Sequence, residues 1–311
     1  MKLAAIGSGA WGRNIVRTLH QMGALGVVAE AAPHLREQLA ADYPGLAVVE
    51  DYRDLFARVD LAAVTIATPA HTHHHIAKAC LLAGKDVFVE KPMTMTAAES
   101  EELVEIAEKD GRILMVGHLL LYKPAVQFIR DYLAAGSLGR VFTLHQERMK
   151  LGKARAVENA LWSLGVHDVA ALLYIAGEAP VGVVFSGHRG LQAGIEDDTY
   201  LHMTFADGRI AHLHNSWLWP EDRRGLKVIG ERGMLVYDEK AETVTLVKKR
   251  VDEKLSNVDE GSELLFEAPK DFQALTVEMQ HFMDCVQSRQ TPRTCGRNGL
   301  AVVRVLEQAA A

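Results

Sequence analysis

A chain of 311 residues with 49% hydrophobic and 24% charged residues can bury the cores of two domains, which excludes a disordered protein. Its 34 Lys and Arg against 40 Asp and Glu give a formal net charge of −6, so nothing global attracts nucleic acid or an anionic membrane, and a small molecule is the expected partner. No apolar run reaches the ~20 residues that span a bilayer, glycines interrupt the N-terminus before a signal-peptide core develops, and Cys80, Cys285 and Cys295 form no C-x-x-C pair; a reduced, cytoplasmic protein is expected.

Residues 2–6 form an apolar run, and the pattern then alternates. A helix is predicted over 11–22, a strand over 25–30, a helix over 34–42, and further elements at 47–50, 52–58 and 61–67. A helix over 73–83 ended by Gly84, a strand over 86–90, a helix over 97–109 and a strand over 112–116 complete the series. Strands apolar on both faces and separated by helices predict an α/β domain with a Rossmann-type, doubly wound parallel sheet, assigned to 1–119. After His118 come a helix over 124–135, a strand over 140–149 and a helical stretch over 159–176. Successive β segments follow at 181–188, 199–205, 209–219, 226–230, 234–238 and 243–248, with Asp207-Gly208 as a hairpin turn. They predict an α+β domain over 120–311 with a largely antiparallel open sheet, closed by helices over 272–289 and 299–311.

Gly7-Ser8-Gly9-Ala10-Trp11-Gly12 is a G-x-G-x-x-G pattern between the first strand and the first helix. Small residues there let a pyrophosphate approach backbone N–H groups at the positive end of the helix dipole. Glu30 stands 18 residues beyond Gly12 at the end of the second strand, where a carboxylate accepts hydrogen bonds from the adenosine ribose. The same charge repels the 2′-phosphate of NADP, and Ala31-Ala32-Pro33 supply no cation, so NAD is the expected cofactor; Arg36 is the one nearby residue that could reach a phosphate. Glu90-Lys91-Pro92 ends a strand at the sheet edge where open α/β folds bind ligands, which suits Lys91 to polarise or deprotonate a hydroxyl.

Together, Glu90-Lys91-Pro92, the GSGAWGRN opening, Thr68-Pro69 followed by His73, and Gly117-His118 resemble the Gfo/Idh/MocA oxidoreductase family over nearly the whole chain. Residues 151–168 and 216–239 resemble the subgroup related to the UDP-N-acetylglucosaminuronate 3-dehydrogenases. The resemblance implies that Lys91 and His167 face substrate and nicotinamide as catalytic residues, and that Thr68, Pro69, His73 and Glu90 line the cofactor. Many members carry Asp-x-x-x-His where this chain has Ser163 and His167, so His167 is left to act with Lys91 and Asp168. That departure speaks against an inositol dehydrogenase. Leu121, before Tyr122, stands where the subgroup often has a basic residue. The implied reaction moves a hydride between the C3 hydroxyl of a sugar, expected to be nucleotide-linked, and NAD; the alternatives are a free-sugar, sugar-phosphate or inositol dehydrogenase, or an NAD-sensing protein without turnover.

An imidazole, with its ordinary pKa of ~6.5, makes His167 the better general base, with Lys91 stabilising the developing alkoxide. Asn159 shares a helical face with Ser163 and His167 by i+4 spacing and either binds sugar hydroxyls or caps the helix. Arg148, Lys150, Lys153 and Arg155 form a basic cluster that could grip a diphosphate or a carboxylate, and Glu221-Asp222-Arg223-Arg224 could contribute similarly. His71, His73, His74 and His75, like His212 and His214, lack the Cys or paired carboxylates of a coordination set, so no metal is expected. A homodimer or homotetramer through the open sheet completes the expectation.

Overall fold

A computed structural model describes every residue except Lys153 and Ala311. The chain forms two compact units, one of residues 1–119 and 273–304, the other of residues 120–272 with the last residues from Val305.

The first unit is built on six parallel strands, β1 (Lys2–Ile6), β2 (Leu25–Ala29), β3 (Ala47–Val49), β4 (Leu61–Ile66), β5 (Asp86–Glu90) and β6 (Leu114–Gly117), in the order β3-β2-β1-β4-β5-β6. The alternating helices are α1 (Gly12–Gln21), α2 (Pro33–Asp42), α3 (His73–Leu82) and α4 (Ala97–Lys109). Pro33 starts α2, where its fixed φ suits a first turn, and Thr96 caps α4 by accepting from the Glu99 N–H at 3.2 Å. Leu3, Ala4, Val27, Val28, Val64, Val87 and Val89 have no exposed surface, as strands covered on both faces require. The strand order reverses between β1 and β4, which makes their carboxyl ends the switch point of a doubly wound sheet.

The expected second domain over 120–311 is corrected at its C-terminal end, because residues 273–304 pack into the first unit. Helix α7 (Ala274–Ser288) sets Phe282 against Phe88 of β5, ring centroids 5.8 Å apart. Arg289 forks the buried Asp86 at 2.5 and 2.9 Å, and the Val116 N–H donates to the Thr294 carbonyl at 2.8 Å, before α8 (Gly296–Ala310). Pairing between segments some 200 positions apart carries no local periodicity, so the sequence pattern does not reveal it.

The second unit holds an eight-stranded sheet of β7 (Val141–Met149), β8 (Gly182–His188), β9 (Asp198–Thr204), β10 (Ile210–Ser216), β11 (Arg223–Gly230), β12 (Gly233–Asp238), β13 (Thr243–Val251) and β14 (Asn257–Glu267). Its order is β14-β13-β12-β11-β7-β10-β9-β8, antiparallel except where β7 and β10 run parallel. Strand β14 was not expected: it is an edge strand, largely exposed, and its Asp-Glu-Gly-Ser stretch shows no apolar alternation. Helix α5 (Pro124–Ala134) follows expectation, whereas the predicted helix over 159–176 divides into a π-turn at Leu161–Gly165 and α6 (Val166–Ala176). Among the described residues no helix is long and apolar enough to cross a membrane.

Removing the Phe282 ring in Phe282→Ala is expected to cost about 3–5 kcal/mol in the first unit. Native-state hydrogen exchange reads this directly: β5 amides lose protection while β9 and β10 amides keep theirs. Equal loss in both units, or none in either, would contradict the assignment of α7.

Candidate active site

The turn after β1 is closed by steric necessity. A Cβ on Gly12 would lie 2.3 Å from the Gly7 carbonyl oxygen, and one on Gly7, at φ +89°, would lie 2.9 Å from that of Ala67 after β4. Gly9 is the opposite case, since a Cβ there would meet nothing within 4 Å and would fill the space a ligand needs. No side chain caps α1 and its first turn holds no acid, so the amide end of the helix suits an anionic group. Ala10 and Trp11 are exposed at this end.

Glu30 follows β2 and is nearly buried. One carboxylate oxygen accepts from the Ser8 N–H at 2.7 Å and the Ser8 hydroxyl at 2.8 Å, the other from the Ala32 N–H at 2.9 Å. A carboxylate offers about four acceptor positions, so roughly one is left for a ribose hydroxyl. Arg36 donates to the carbonyls of Glu30 and Ala31 at 2.9 and 2.7 Å and pairs with Glu50 at 3.0 Å. Arg36, the cation expected to reach a 2′-phosphate, is thus already engaged.

The loops after β4 and β5 are tied together by His73, whose Nδ1 lies 2.8 Å from the Pro92 carbonyl oxygen and whose Nε2 lies 2.9 Å from that of Thr68. Burial pushes the His73 imidazole down and the two carbonyls pull it back up. The Thr68 hydroxyl bonds that of Thr72 at 2.6 Å, which itself donates to the Pro69 carbonyl at 2.7 Å. Lys91, half-buried, precedes Pro92 through a cis peptide bond. Glu90 accepts from the Trp11 indole N–H at 2.5 Å and the Lys91 N–H at 3.2 Å, so it braces the glycine turn. Burial pushes its carboxyl up to about 7, against the pull of Lys91 and Trp11. Gly117 of β6 makes room for it: a Cβ there would lie 2.9–3.0 Å from the carboxylate atoms. His118 is buried, and burial together with Lys91 lowers it to about 3, leaving it neutral.

In the second unit the structure redistributes the expected substrate residues. Asp168, expected to assist His167, has no exposed surface and is saturated: it accepts from Gln146 and Asn215 at 3.0 Å and from the Arg148 Nε at 2.9 and 3.0 Å. Arg148 is committed to Asp168 and, through its other nitrogens, to Glu239 at 3.1 and 2.6 Å, so neither joins a substrate grip. Asn159 caps the helical stretch by accepting from the Trp162 N–H at 3.0 Å and donates to Glu196 at 2.9 Å, which favours its structural reading. The π-turn between Asn159 and His167 also breaks the i+4 register that was to align Asn159, Ser163 and His167 on one face.

Ser163 is buried within the π-turn and His167 is half-buried in the first turn of α6. Lys150 is half-buried, Arg155 is exposed and pairs with Glu158 at 3.1 Å, and Lys153 lies outside the described residues. Leu121 and Tyr122 belong to the core. Arg223 and Arg224 at the start of β11 pair with Glu221 and Asp222 of the turn before it, at 2.7 and 3.0 Å. Among the described residues no group of three or more His, Cys, Asp and Glu side chains could hold a metal. His74 instead bonds Glu102 at 2.6 Å, His212 bonds His202 at 2.6 Å, and His214 bonds Asp198 at 2.9 Å.

Sequence reasoning missed the buried partners Gln146, Asn215 and Glu239. One signal was present, because Gln146 and Arg148 share the inward register of Leu144 along β7.

The chain is 26% identical over 238 residues to the 2,7-anhydro-N-acetylneuraminate hydratase of Mediterraneibacter gnavus, covering 70% of this chain and 62% of that one. It is 30% identical over 175 residues to the UDP-N-acetylglucosamine 3-dehydrogenase of Acidithiobacillus ferrooxidans, covering 56% of this chain and 54% of that enzyme. Both matches thus span less than two thirds of the relative. A solved structure of the latter shares the fold over 100% of this chain and 97% of its own, with a TM-score of 0.86 at 24% identity. A solved chain from Magnetospirillum magnetotacticum is 32% identical, with 99% of each chain covered and a TM-score of 0.84.

Fluorescence titration is expected to show tighter binding of NADH than of NADPH, and Glu30→Ala should weaken NADH by about tenfold by removing its charge-assisted hydrogen bond. Equal or tighter NADPH binding by the unaltered protein would overturn this reading of Glu30 and Arg36. In its glycine turn, its Glu30 carboxylate and its Glu90-Lys91-Pro92 strand end, matched by family models over residues 1–118 (an oxidoreductase family with an NAD-binding Rossmann fold) and 126–236 (the C-terminal domain), the chain belongs to the GFO/IDH/MocA oxidoreductases.

Proposed function

We propose that this protein is an NAD-dependent oxidoreductase acting on a CH–OH group of a sugar, and that the sugar is nucleotide-linked and oxidised at C3. The observation that carries the reading is the placement of Lys91. It directly follows β5 at the ligand edge of the sheet, and its neighbour Glu90, the last residue of that strand, is bonded to Trp11 of the glycine turn. The residues of that turn fit the cofactor, since Gly9 opens a cradle and Glu30 retains an acceptor.

When bound, NAD supplies the acceptor for the hydride that leaves the carbinol carbon. The chain has the proton to manage: Lys91 donates a hydrogen bond to the reacting hydroxyl and stabilises alkoxide character, and His167 takes the hydroxyl proton. Ser163 cannot act as a carboxylate partner of His167, and Asp168 is fully engaged with Arg148, Gln146 and Asn215. The similarity to a nucleotide-sugar 3-dehydrogenase supports the substrate class. Self-association through the sheet of the second unit belongs to the same proposal, supported by the exposed Val184, Tyr200 and Ile210 on β8, β9 and β10.

Single-turnover absorbance with a panel of UDP-sugars, free sugars, sugar phosphates and inositols is expected to show reduced nicotinamide with a UDP-sugar. His167→Asn should then lower kcat/KM by about 10²–10⁴ with NADH affinity kept, and Lys91→Met should lower both. Tight NAD binding without reduction by any member of the panel would favour a cofactor-sensing protein instead.

A further inference from the structure

One buried acid has no part in the chemistry above. Glu278 on α7 has no exposed surface, and among the described residues no group hydrogen-bonds either of its carboxyl oxygens. Its position follows from the contact between α7 and β5, in which Phe282 lies against Phe88. Two residues further along the strand, on the same face, stands Glu90; one turn earlier along the helix, on the same side, stands Glu278. The strand step of ~6.6 Å and the helix turn of 5.4 Å nearly match, so the two acids form the next rung of one ladder.

The groups around that rung are few. From the turn before α1 comes the Trp11 indole N–H, 2.5 Å from the Glu90 carboxylate, and beside Glu90 stands Lys91. Strand β6 presents Gly117, which has no side chain, and is followed by the neutral His118. Among the described residues no cation forms an ion pair with Glu278, and both burial and the charge of Glu90 hold its proton on. Two carboxyl groups so placed do not both ionise, since the second charge would meet the first in a medium of low dielectric constant.

We propose that Glu278 and Glu90 form a carboxyl pair that keeps at least one proton through the neutral range, and that Glu278 is a positioning residue for Lys91. By retaining its own proton, Glu278 lets Glu90 carry the single negative charge that holds Trp11 and flanks Lys91. Gly117 leaves the space that fixes Glu90 in this place. The function given to Lys91 rests on the reading above; the carboxyl pair does not.

The Trp11 indole N–H resonance, identified by its loss in Trp11→Phe, reads the charge of its acceptor. It is expected to titrate near pH 7 in the unaltered protein and to be flat in Glu90→Gln. Glu278→Gln keeps a neutral polar group at the rung and should hold the midpoint within a few tenths of a unit, whereas Glu278→Leu sets Glu90 against an apolar side chain and should raise it by about one unit. Infrared spectra recorded well above that midpoint should show a protonated carboxyl band that Glu278→Gln lacks, which decides the matter even where the leucine variant does not fold. An unmoved midpoint in Glu278→Leu, or identical infrared bands in the two proteins, would overturn the pair. A displaced midpoint with an unmoved pH profile of sugar oxidation would overturn only the link to Lys91.

Discussion

A single added methyl group cannot be placed on residue 12, because the Gly7 carbonyl oxygen occupies its position, and hardly on residue 7, because the Ala67 carbonyl does. This backbone closeness holds the turn after β1 against the loop after β4 and aims the start of α1. Ser8 thereby delivers two donors to Glu30, and Trp11 delivers its indole N–H to Glu90. Carboxylates at the ends of two different strands are gathered around one turn by steric fit. Each hydrogen bond then secures a geometry that the absence of side chains has already permitted.

The two units treat buried charge in opposite ways. In the second, Arg148 lies between Asp168 and Glu239, and amides from Gln146 and Asn215 complete the acceptor positions of Asp168. Such a saturated network makes a rigid floor under the first turn of α6, at the cost of withdrawing Asp168 from any ligand. In the first unit no described residue hydrogen-bonds Glu278, and Glu90 has two donors and a carboxyl pushed up to about 7. Satisfied charge stiffens a scaffold, whereas charge left poorly satisfied stays responsive to protons, which is why perturbed groups gather where chemistry is done.

Much of this was legible in the residues. The glycine turn, Glu30, the Glu90-Lys91-Pro92 strand end and the alternating strands and helices of the first unit are local patterns. Each needs only a short stretch of chain to express its physics. Asn159 was ambiguous, since the same side chain serves a sugar or a helix end, and only its bonds to Trp162 and Glu196 separate the two. The π-turn at Leu161–Gly165 was invisible: nothing in the spacing of Ser163 and His167 distinguishes it from an α-helix, although a Cβ on Gly165 would lie 2.3 Å from the Asn215 amide oxygen.

By itself the sequence determined the alternating strands and helices of the first unit, that a dinucleotide turn opens the chain, and which polar residue types stand at the ends of strands. Tertiary structure alone decided that α7 completes the first unit, that Asp168 is consumed by Arg148, and that Glu278 stands one rung from Glu90. The reason lies in the range of the forces. Helix periodicity and close approach within a turn act between near neighbours in the chain, whereas desolvation and charge pairing depend on which distant segments share a buried volume.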